Sequence, residues 1–135
     1  MGDMRHLRIY IAGAWGDKER LKGERKRLEG LGFIVTSEWL DITRGYTEGW
    51  QGDQEAKRDY RNLDKADFTI IDTFGATRGG REWEGGYTVG KGKRVVRVGP
   101  IITPFHAAVN LGFESWDACI SYFATAMETA DARNN

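Results

Sequence analysis

The sequence predicts a three-layer α/β domain with a five-stranded, mainly parallel sheet. Short apolar runs rich in β-branched residues alternate with stretches whose apolar residues recur at helical spacing. The first strand, helix and second strand fit within about thirty residues, the length of a right-handed parallel crossover. With 135 residues the chain has the size of one domain with its own core, so residues 1–135 are expected to form a single domain.

The first part of the chain contains one strand–helix–strand unit. Residues 7–12 form an apolar run that closes on Gly13, which predicts the first strand. Asp17 is suited to cap the following helix, which is expected to stop at Gly32. Residues 33–36 contain β-branched side chains and predict the second strand.

The second part of the chain repeats this alternation. The predicted elements are a helix over 53–63, a strand over 68–71, a glycine-rich helix, a strand over 94–99, a short strand over 112–114 and a terminal helix that Ser115 caps. Pro104 is suited to open a short helix within the ambiguous segment 101–111. Residues 129–135 are expected to be frayed.

An aromatic loop interrupts the pattern between residues 40 and 52, where Tyr46 and Trp50 stand among glycines and polar residues. An exposed aromatic loop is typical of a lid or a contact surface. The alternative, that both rings pack the loop onto the body, is equally compatible with the sequence.

The composition excludes several classes of partner. Basic and acidic residues number 20 each, so there is no basic surplus to bind a nucleic acid polymer. Cys119 is alone, which excludes an internal disulfide and a cysteine zinc site, and its apolar flanks predict a buried thiol. His6 and His106 are too isolated for a metal site, and neither a metal nor a cofactor is expected. No run approaches the roughly 20 apolar residues of a membrane span, and the first residues lack the apolar core of a signal peptide, so a cytoplasmic location is expected.

The segment 72–93 is the strongest candidate for a functional site. It follows a strand, turns at Gly79 and Gly80, and enters a predicted helix. The glycines inside this helical segment are Gly85, Gly86, Gly90 and Gly92. Each costs about 1 kcal/mol relative to alanine, so close approach of a ligand or a neighbouring element is expected. Ligands bind at the carboxyl ends of strands in open α/β sheets; a poorly formed surface helix is the alternative interpretation.

Known nucleotide-binding and hydrolase motifs do not fit this segment. No G-x-G-x-x-G turn follows the first strand, and a serine nucleophile elbow is absent. Residues 85–91 match the spacing of a phosphate loop, but Gly92 stands where a Ser or Thr is required. Carboxylate chemistry remains, because paired carboxylates break glycosidic bonds and one of them can form a covalent sugar intermediate. The carboxylates able to reach one sheet edge are Glu38, Asp59, Asp72 and Glu84, with ordinary solvated charges as the alternative.

Three stretches carry a resemblance to a known family. They read IYIAG at 9–13, DYRNLDKAD at 59–67 and RGGREWEGGYTVGKGK at 78–93. The chain resembles the nucleoside 2-deoxyribosyltransferase superfamily, which includes the 2′-deoxynucleoside 5′-phosphate N-hydrolases. The resemblance implies a flavodoxin-like fold in which Glu84 attacks the anomeric carbon of the sugar. It also implies that Asp59 protonates or holds the base and that Tyr10 assists the glutamate by hydrogen bonding.

Further substrate contacts are expected where strands end. The candidates are Gly13, Trp15, Asp72, Gly79 and Gly80, and Trp50 is the candidate for stacking on the base. Where relatives carry an acidic or hydroxyl residue, this chain has Arg78, followed by Arg81. Arginine suits a phosphate; the alternative is that both side chains balance neighbouring glutamates. Relatives complete the site from a neighbouring subunit, which implies a homodimer or higher homo-oligomer with His106 in the partner's pocket, or else a core or surface histidine.

The predicted reaction is transfer of 2-deoxyribose from a 2′-deoxynucleoside, or from its 5′-monophosphate, to another base. Both steps belong to carboxylates, so no cofactor or metal is needed. The expected partner is a small nucleoside or nucleotide. Hydrolysis of the monophosphate by water is the alternative reaction. A non-catalytic nucleotide-binding module is the remaining alternative, because fold alone does not fix function.

Overall fold

The computed structural model describes residues 4–43 and 50–134. The strands in this part of the chain are β1 (Arg8–Ala12), β2 (Ile34–Val35), β3 (Phe68–Asp72), β4 (Arg94–Val98) and β5 (Leu111–Phe113). The α-helices are α1 (Lys18–Gly30), α2 (Trp50–Lys65), α3 (Gly80–Gly90), α4 (Pro104–Ala107) and α5 (Trp116–Asn134). Short 3₁₀ turns at 15–17 and 38–41 follow β1 and β2.

The strands form one sheet in the order β2-β1-β3-β4-β5, and every neighbouring pair is parallel. This is the flavodoxin-like strand order, so the predicted fold class is confirmed. The sheet is wholly parallel over the described strands, where the sequence predicts a mainly parallel one. Strand order reverses between β1 and β3, and ligands bind such sheets outside the carboxyl ends of the strands at this point.

Helices cover both faces of the sheet, so the central strands are apolar on both sides. Ile9 and Ile11 of β1 and Ile70 of β3 are fully buried. Each such side chain contributes about 1.5–3 kcal/mol relative to an exposed one. This burial stabilises strands β1 and β3, between which the strand order reverses.

The alternation of side chains along β3 separates two environments. The hydroxyl of Thr69 lies 2.8 Å from that of Thr88 on α3. Three residues later, Asp72 points to the opposite face, where it accepts hydrogen bonds from Arg20 of α1 and Trp116 of α5. The sheet face towards α2 and α3 is therefore separate from the face that holds Asp72.

Two predicted helix boundaries differ from the structure. Helix α2 begins at Trp50, before the predicted start, and α5 continues to Asn134 where a frayed end is predicted. The continuation of α5 has a physical basis. Ala130 is buried, and the carboxylate of Asp131 accepts a hydrogen bond of 2.7 Å from Arg5.

Smaller predictions have mixed outcomes. Asp17 makes no capping hydrogen bond to α1, and its carboxylate instead lies 3.1 Å from the guanidinium of Arg20. The Cys119 thiol is buried as predicted, whereas Tyr46 lies outside the described residues. No helix in the described ranges is both long and apolar enough to cross a bilayer.

Candidate active site

Tyr10 and Glu84 form a hydrogen-bonded pair between β1 and α3. Tyr10 is fully buried, and its hydroxyl donates to Glu84 Oε2. Glu84 itself is half-buried on the second turn of α3. Burial raises the pKa of Glu84 to about 8, against the opposing effect of the Tyr10 hydrogen bond. The pair thus holds a carboxyl group that ionises near neutral pH.

Asp59 of α2 belongs to the same cluster. Its charge adds to burial in raising the pKa values of both Tyr10 and Glu84. Burial also raises the pKa of Asp59 itself, while the neighbouring guanidinium of Arg58 lowers it. The structure therefore brings together the three residues predicted to be catalytic.

The hydrogen bond from Tyr10 favours the ionised form of Glu84. Removing the Tyr10 hydroxyl is therefore expected to raise the pKa of Glu84 further above its value of about 8. The measurement is a carboxyl ¹³C NMR titration of Y10F labelled at glutamate. Y87F is the matched control, since the Tyr87 hydroxyl donates to Asp64 instead, at 2.7 Å. An unchanged Glu84 titration in Y10F would contradict the pairing.

The glycines around the site serve different purposes. A Cβ on Gly13 would lie 2.6 Å from Leu21 Cδ1, so packing against α1 explains this glycine better than substrate approach does. A Cβ on Gly85 would meet Ile71 at 3.6 Å, an ordinary contact between α3 and the sheet. At Gly86 nothing lies within 4 Å. Gly86 therefore leaves open space on α3 of the kind predicted for substrate approach, as does Gly90 at the end of the helix.

Asp72 has a structural role in place of the predicted substrate contact. Its carboxylate is completely buried and accepts two hydrogen bonds from Arg20, at 2.8 and 3.0 Å. The indole of Trp116 donates to it at 2.7 Å and the backbone N–H of Phe74 at 3.1 Å. Because Arg20 and Trp116 lie on the sheet face opposite Glu84, the Asp72 carboxylate holds the fold together and is not placed for the predicted substrate contact.

Arg81 is likewise unavailable to a phosphate, contrary to the prediction. Its side chain is only 4% exposed and donates to the carbonyls of Asp72 and Gly75, at 3.1 and 2.6 Å. Its Nε and Nη2 both donate to Glu82 Oε1, at 2.9 and 2.7 Å. The guanidinium therefore fixes the loop between β3 and α3. The alternative prediction, that Arg81 balances a neighbouring glutamate, is correct, and that glutamate is Glu82.

His106 is also an internal link, so the prediction that it enters a partner's pocket is wrong. It is 1% exposed, and its Nδ1 accepts hydrogen bonds from the backbone N–H groups of Ile102 and Thr103, at 3.1 and 3.3 Å. Its Nε2 therefore carries the proton and donates to Glu82 Oε1 at 3.0 Å. Although burial alone would raise the pKa of Glu82, hydrogen bonds from Arg81, the backbone and Thr77 lower it to about 2.

The other predicted contacts lie on exposed surface. Gly79 adopts a left-handed φ of 101°, which turns the chain into α3 at Gly80. Arg78 beside them is exposed, and no hydrogen bond or ion pair joins it to the rest of the described chain. Trp15 is 38% exposed, with the Lys18 ammonium 3.5 Å from the centre of its ring. The side chain of Trp50 lies outside the described residues.

One residue of the cluster has no counterpart among the predictions. Arg58 donates through Nε and Nη2 to Asp59 Oδ1, at 3.2 and 3.0 Å. Consecutive residues on a helix do not normally face each other, so helical spacing gives no signal for this contact.

Over residues 4–43 and 50–134, no group of three or more His, Cys, Asp or Glu side chains is placed to hold a metal ion.

Comparison with known proteins extends this picture. No protein-family profile matches the sequence, and no curated protein is significantly similar to it. Among solved structures, a 2-deoxyribosyltransferase from Bacillus psychrosaccharolyticus matches with a TM-score of 0.69 and 25% identity, over 86% of this chain and 92% of that one. The fold is also that of a CMP N-glycosidase from Clostridium botulinum, with a TM-score of 0.56 and 19% identity over 85% and 96% of the two chains. Both solved structures are members of the nucleoside 2-deoxyribosyltransferase-like superfamily, which is the family that the sequence motifs of this chain resemble.

Proposed function

We propose that the protein cleaves the N-glycosidic bond of 2′-deoxynucleosides or their 5′-monophosphates and transfers the sugar to another base. The observation that carries this proposal is the Tyr10–Glu84 pair, with Asp59 beside it. A carboxylate that is poorly solvated and hydrogen-bonded on one oxygen is suited to act as a nucleophile. The 2-deoxyribosyltransferase and the CMP N-glycosidase that share the fold are both named for reactions at this type of bond.

The first step forms a covalent sugar intermediate. Ionised Glu84 attacks C1′, and the electrons of the C1′–N bond leave with the base. Asp59 protonates or holds the departing base; burial raises the pKa of Asp59 and so favours the protonated form that a donor needs. Tyr10 keeps the attacking carboxylate oriented through its hydrogen bond.

The second step releases the sugar from Glu84. A nitrogen of the incoming base attacks C1′, and the glutamate leaves as a carboxylate. The alternative acceptor is water, which gives hydrolysis from the same intermediate. Which acceptor reacts depends on how well the closed pocket holds a base and excludes water.

Product analysis tests this function. The protein is incubated with each 2′-deoxynucleoside and each 5′-monophosphate, with and without a second free base, and the products are resolved by chromatography. A new nucleoside is the expected result and indicates transfer, whereas free base alone indicates hydrolysis. Absence of product from every substrate would refute the enzymatic function.

The proposed homo-oligomer is supported by exposed apolar side chains and not by the predicted entry of His106 into a partner's pocket. His106 is buried, but Ile101, Ile102 and Phe105 around it are 56%, 60% and 78% exposed. Apolar side chains exposed together support an interface between copies of the chain. Sedimentation equilibrium of the purified protein measures this directly, and a monomer at all concentrations would exclude the oligomer.

Arg78 is the remaining candidate for recognising a 5′-phosphate. We expect R78A to raise KM for 5′-monophosphates by about tenfold, the loss of one hydrogen bond to a charged group, and to leave KM for nucleosides unchanged. R94A is the matched control, because exposed Arg94 begins β4 at the opposite end of the sheet. Equal effects of R78A on nucleosides and monophosphates would rule out a phosphate contact.

A further inference from the structure

Arg58 forms an ion pair with its neighbour Asp59, and its charge acts on both Tyr10 and Glu84. Its side chain is 16% exposed, and both of its hydrogen bonds to Asp59 go to the same oxygen, Oδ1. Within the described chain no donor reaches Asp59 Oδ2. The arrangement fixes the carboxylate in one orientation and leaves its second oxygen available.

The cluster around Arg58 is otherwise acidic. Asp59 and Glu84 come from α2 and α3, and Tyr10 comes from β1. The charges of Glu55 on α2 and Glu38 in the turn after β2 also act on Asp59. Arg58 is the cation whose charge opposes these groups at Asp59, Glu84 and Tyr10 alike. A positive charge near a carboxyl group favours its ionised form.

We propose that Arg58 is a positioning residue of the N-glycosidic cleavage, which holds Asp59 Oδ1 so that Oδ2 faces the departing base and whose charge favours the ionised form of Glu84. This inference rests on the proposed function. In the reaction, Glu84 must be ionised while Asp59 is next to it, and a nearby guanidinium reduces the cost of that state. The fork geometry of arginine sets the orientation of Asp59 in addition to supplying charge.

A positioning role of Arg58 and a merely structural one differ in the pH dependence of the activity. Without Arg58, the pKa of Glu84 should rise, because an opposing positive charge is lost. The acidic limb of the kcat/KM profile of R58Q should therefore move upward by about one pH unit. Near pH 7 this corresponds to about a tenfold loss of kcat/KM, part of which is recovered at higher pH. R58K retains the charge and should restore the position of the limb.

R61Q is the matched control, because Arg61 is exposed on the same helix. Its pH profile should be that of the unaltered protein. A profile of R58Q with an unmoved acidic limb, or a loss of kcat/KM that is the same at every pH, would overturn the proposal. Thermal unfolding of both variants checks that any loss is not a loss of fold.

Failure of this inference is distinguishable from failure of the proposed function. If the unaltered protein cleaves no nucleoside, the function is refuted, and a carboxyl ¹³C titration of Glu84 in R58Q still measures the effect of Arg58. An upward displacement of that titration supports the charge-offsetting role. If the unaltered protein is active and Glu84 titrates identically in both proteins, the role of Arg58 alone is refuted.

Discussion

Replacing Glu84 by glutamine is expected to lower kcat/KM for N-glycosidic cleavage by about 10³-fold or more, because the amide cannot attack C1′. The change conserves volume and leaves an oxygen to accept the Tyr10 hydrogen bond, so the fold should persist. The measurement is base release under the conditions that give product with the unaltered protein. E114Q, on exposed Glu114, is the control and should keep full activity. Substantial turnover by E84Q would remove Glu84 as the nucleophile.

The pH dependence of activity follows from the same group. Burial raises the pKa of Glu84 to about 8, so about a tenth of it is ionised at pH 7 in the free protein. Since ionised Glu84 attacks, kcat/KM should rise with pH up to about pH 8. A profile that is flat from pH 5 to pH 9 would contradict this assignment.

The stability of E84Q should change in the opposite direction to its activity. The pKa of Glu84 is about 8 in the folded protein against an ordinary value of 4.5. Between these values the folded protein holds a proton that the unfolded chain releases, so stability decreases as pH rises through this window. Glutamine cannot ionise and should be more stable than glutamate by about 5 kcal/mol at pH 9, because each unit of pKa difference corresponds to about 1.4 kcal/mol, and equal to it near pH 4. Urea unfolding at the two pH values measures the difference.

Such a trade-off is expected of a functional group. A carboxylate that only stabilised the fold would show the opposite pH dependence. Its removal would destabilise the protein most at the pH values at which the carboxylate is ionised. Loss of stability in E84Q at pH 9 would therefore assign Glu84 a structural role. The two measurements on one variant distinguish a nucleophile from a structural acid.

The strands and helices could be predicted because their signals are local. Apolar runs of β-branched residues become strands, and glycines such as Gly13 and Gly79 stand where the chain turns or packs closely. Strand direction follows from the length of the crossovers. The position of Glu84 within a glycine-rich helix after β3 was predictable in the same way, and its proposed role came from resemblance to a family.

The surroundings of the charged residues could not be predicted in this way. Arg78 and Arg81 are three residues apart in the same segment, yet Arg78 is exposed and Arg81 is buried. The acceptors of Arg81 include backbone carbonyls of the loop after β3, and the sequence does not show where a carbonyl points. His106 is buried for a comparable reason, since backbone N–H groups of its own loop satisfy its ring.

The surroundings of Asp72 could not be predicted from the sequence either. A carboxylate at the end of a central strand is a reasonable candidate for a substrate contact. Its side chain instead points to the face opposite Glu84, because strand residues alternate. Its partners Arg20 and Trp116 are 52 and 44 residues away in sequence, beyond any local pattern.

Truncating Asp72 to alanine is therefore expected to cost about 3–5 kcal/mol of stability, because it leaves buried donors without an acceptor. The completely buried carboxylate joins α1, α5 and the turn after β3 through Arg20, Trp116 and the Phe74 N–H. Urea unfolding at pH 7 measures the loss. The control is D53A, which removes a carboxylate 3.1 Å from Lys57 in a pair that is 62% exposed on both sides; it should cost less than about 1 kcal/mol.

D72N separates charge from shape in this network. Asparagine keeps one acceptor oxygen but loses the charge that pairs with Arg20, so its cost should lie between those of D53A and D72A. Arg20 is 39% exposed, which lets water solvate the guanidinium when the carboxylate is absent. Water cannot reach the buried Trp116 indole in the same way. Most of the stability lost in D72A should therefore come from the unpaired indole N–H. If D72A unfolds at the same urea concentration as the unaltered protein while losing substrate affinity, Asp72 contacts substrate and the structural assignment is wrong.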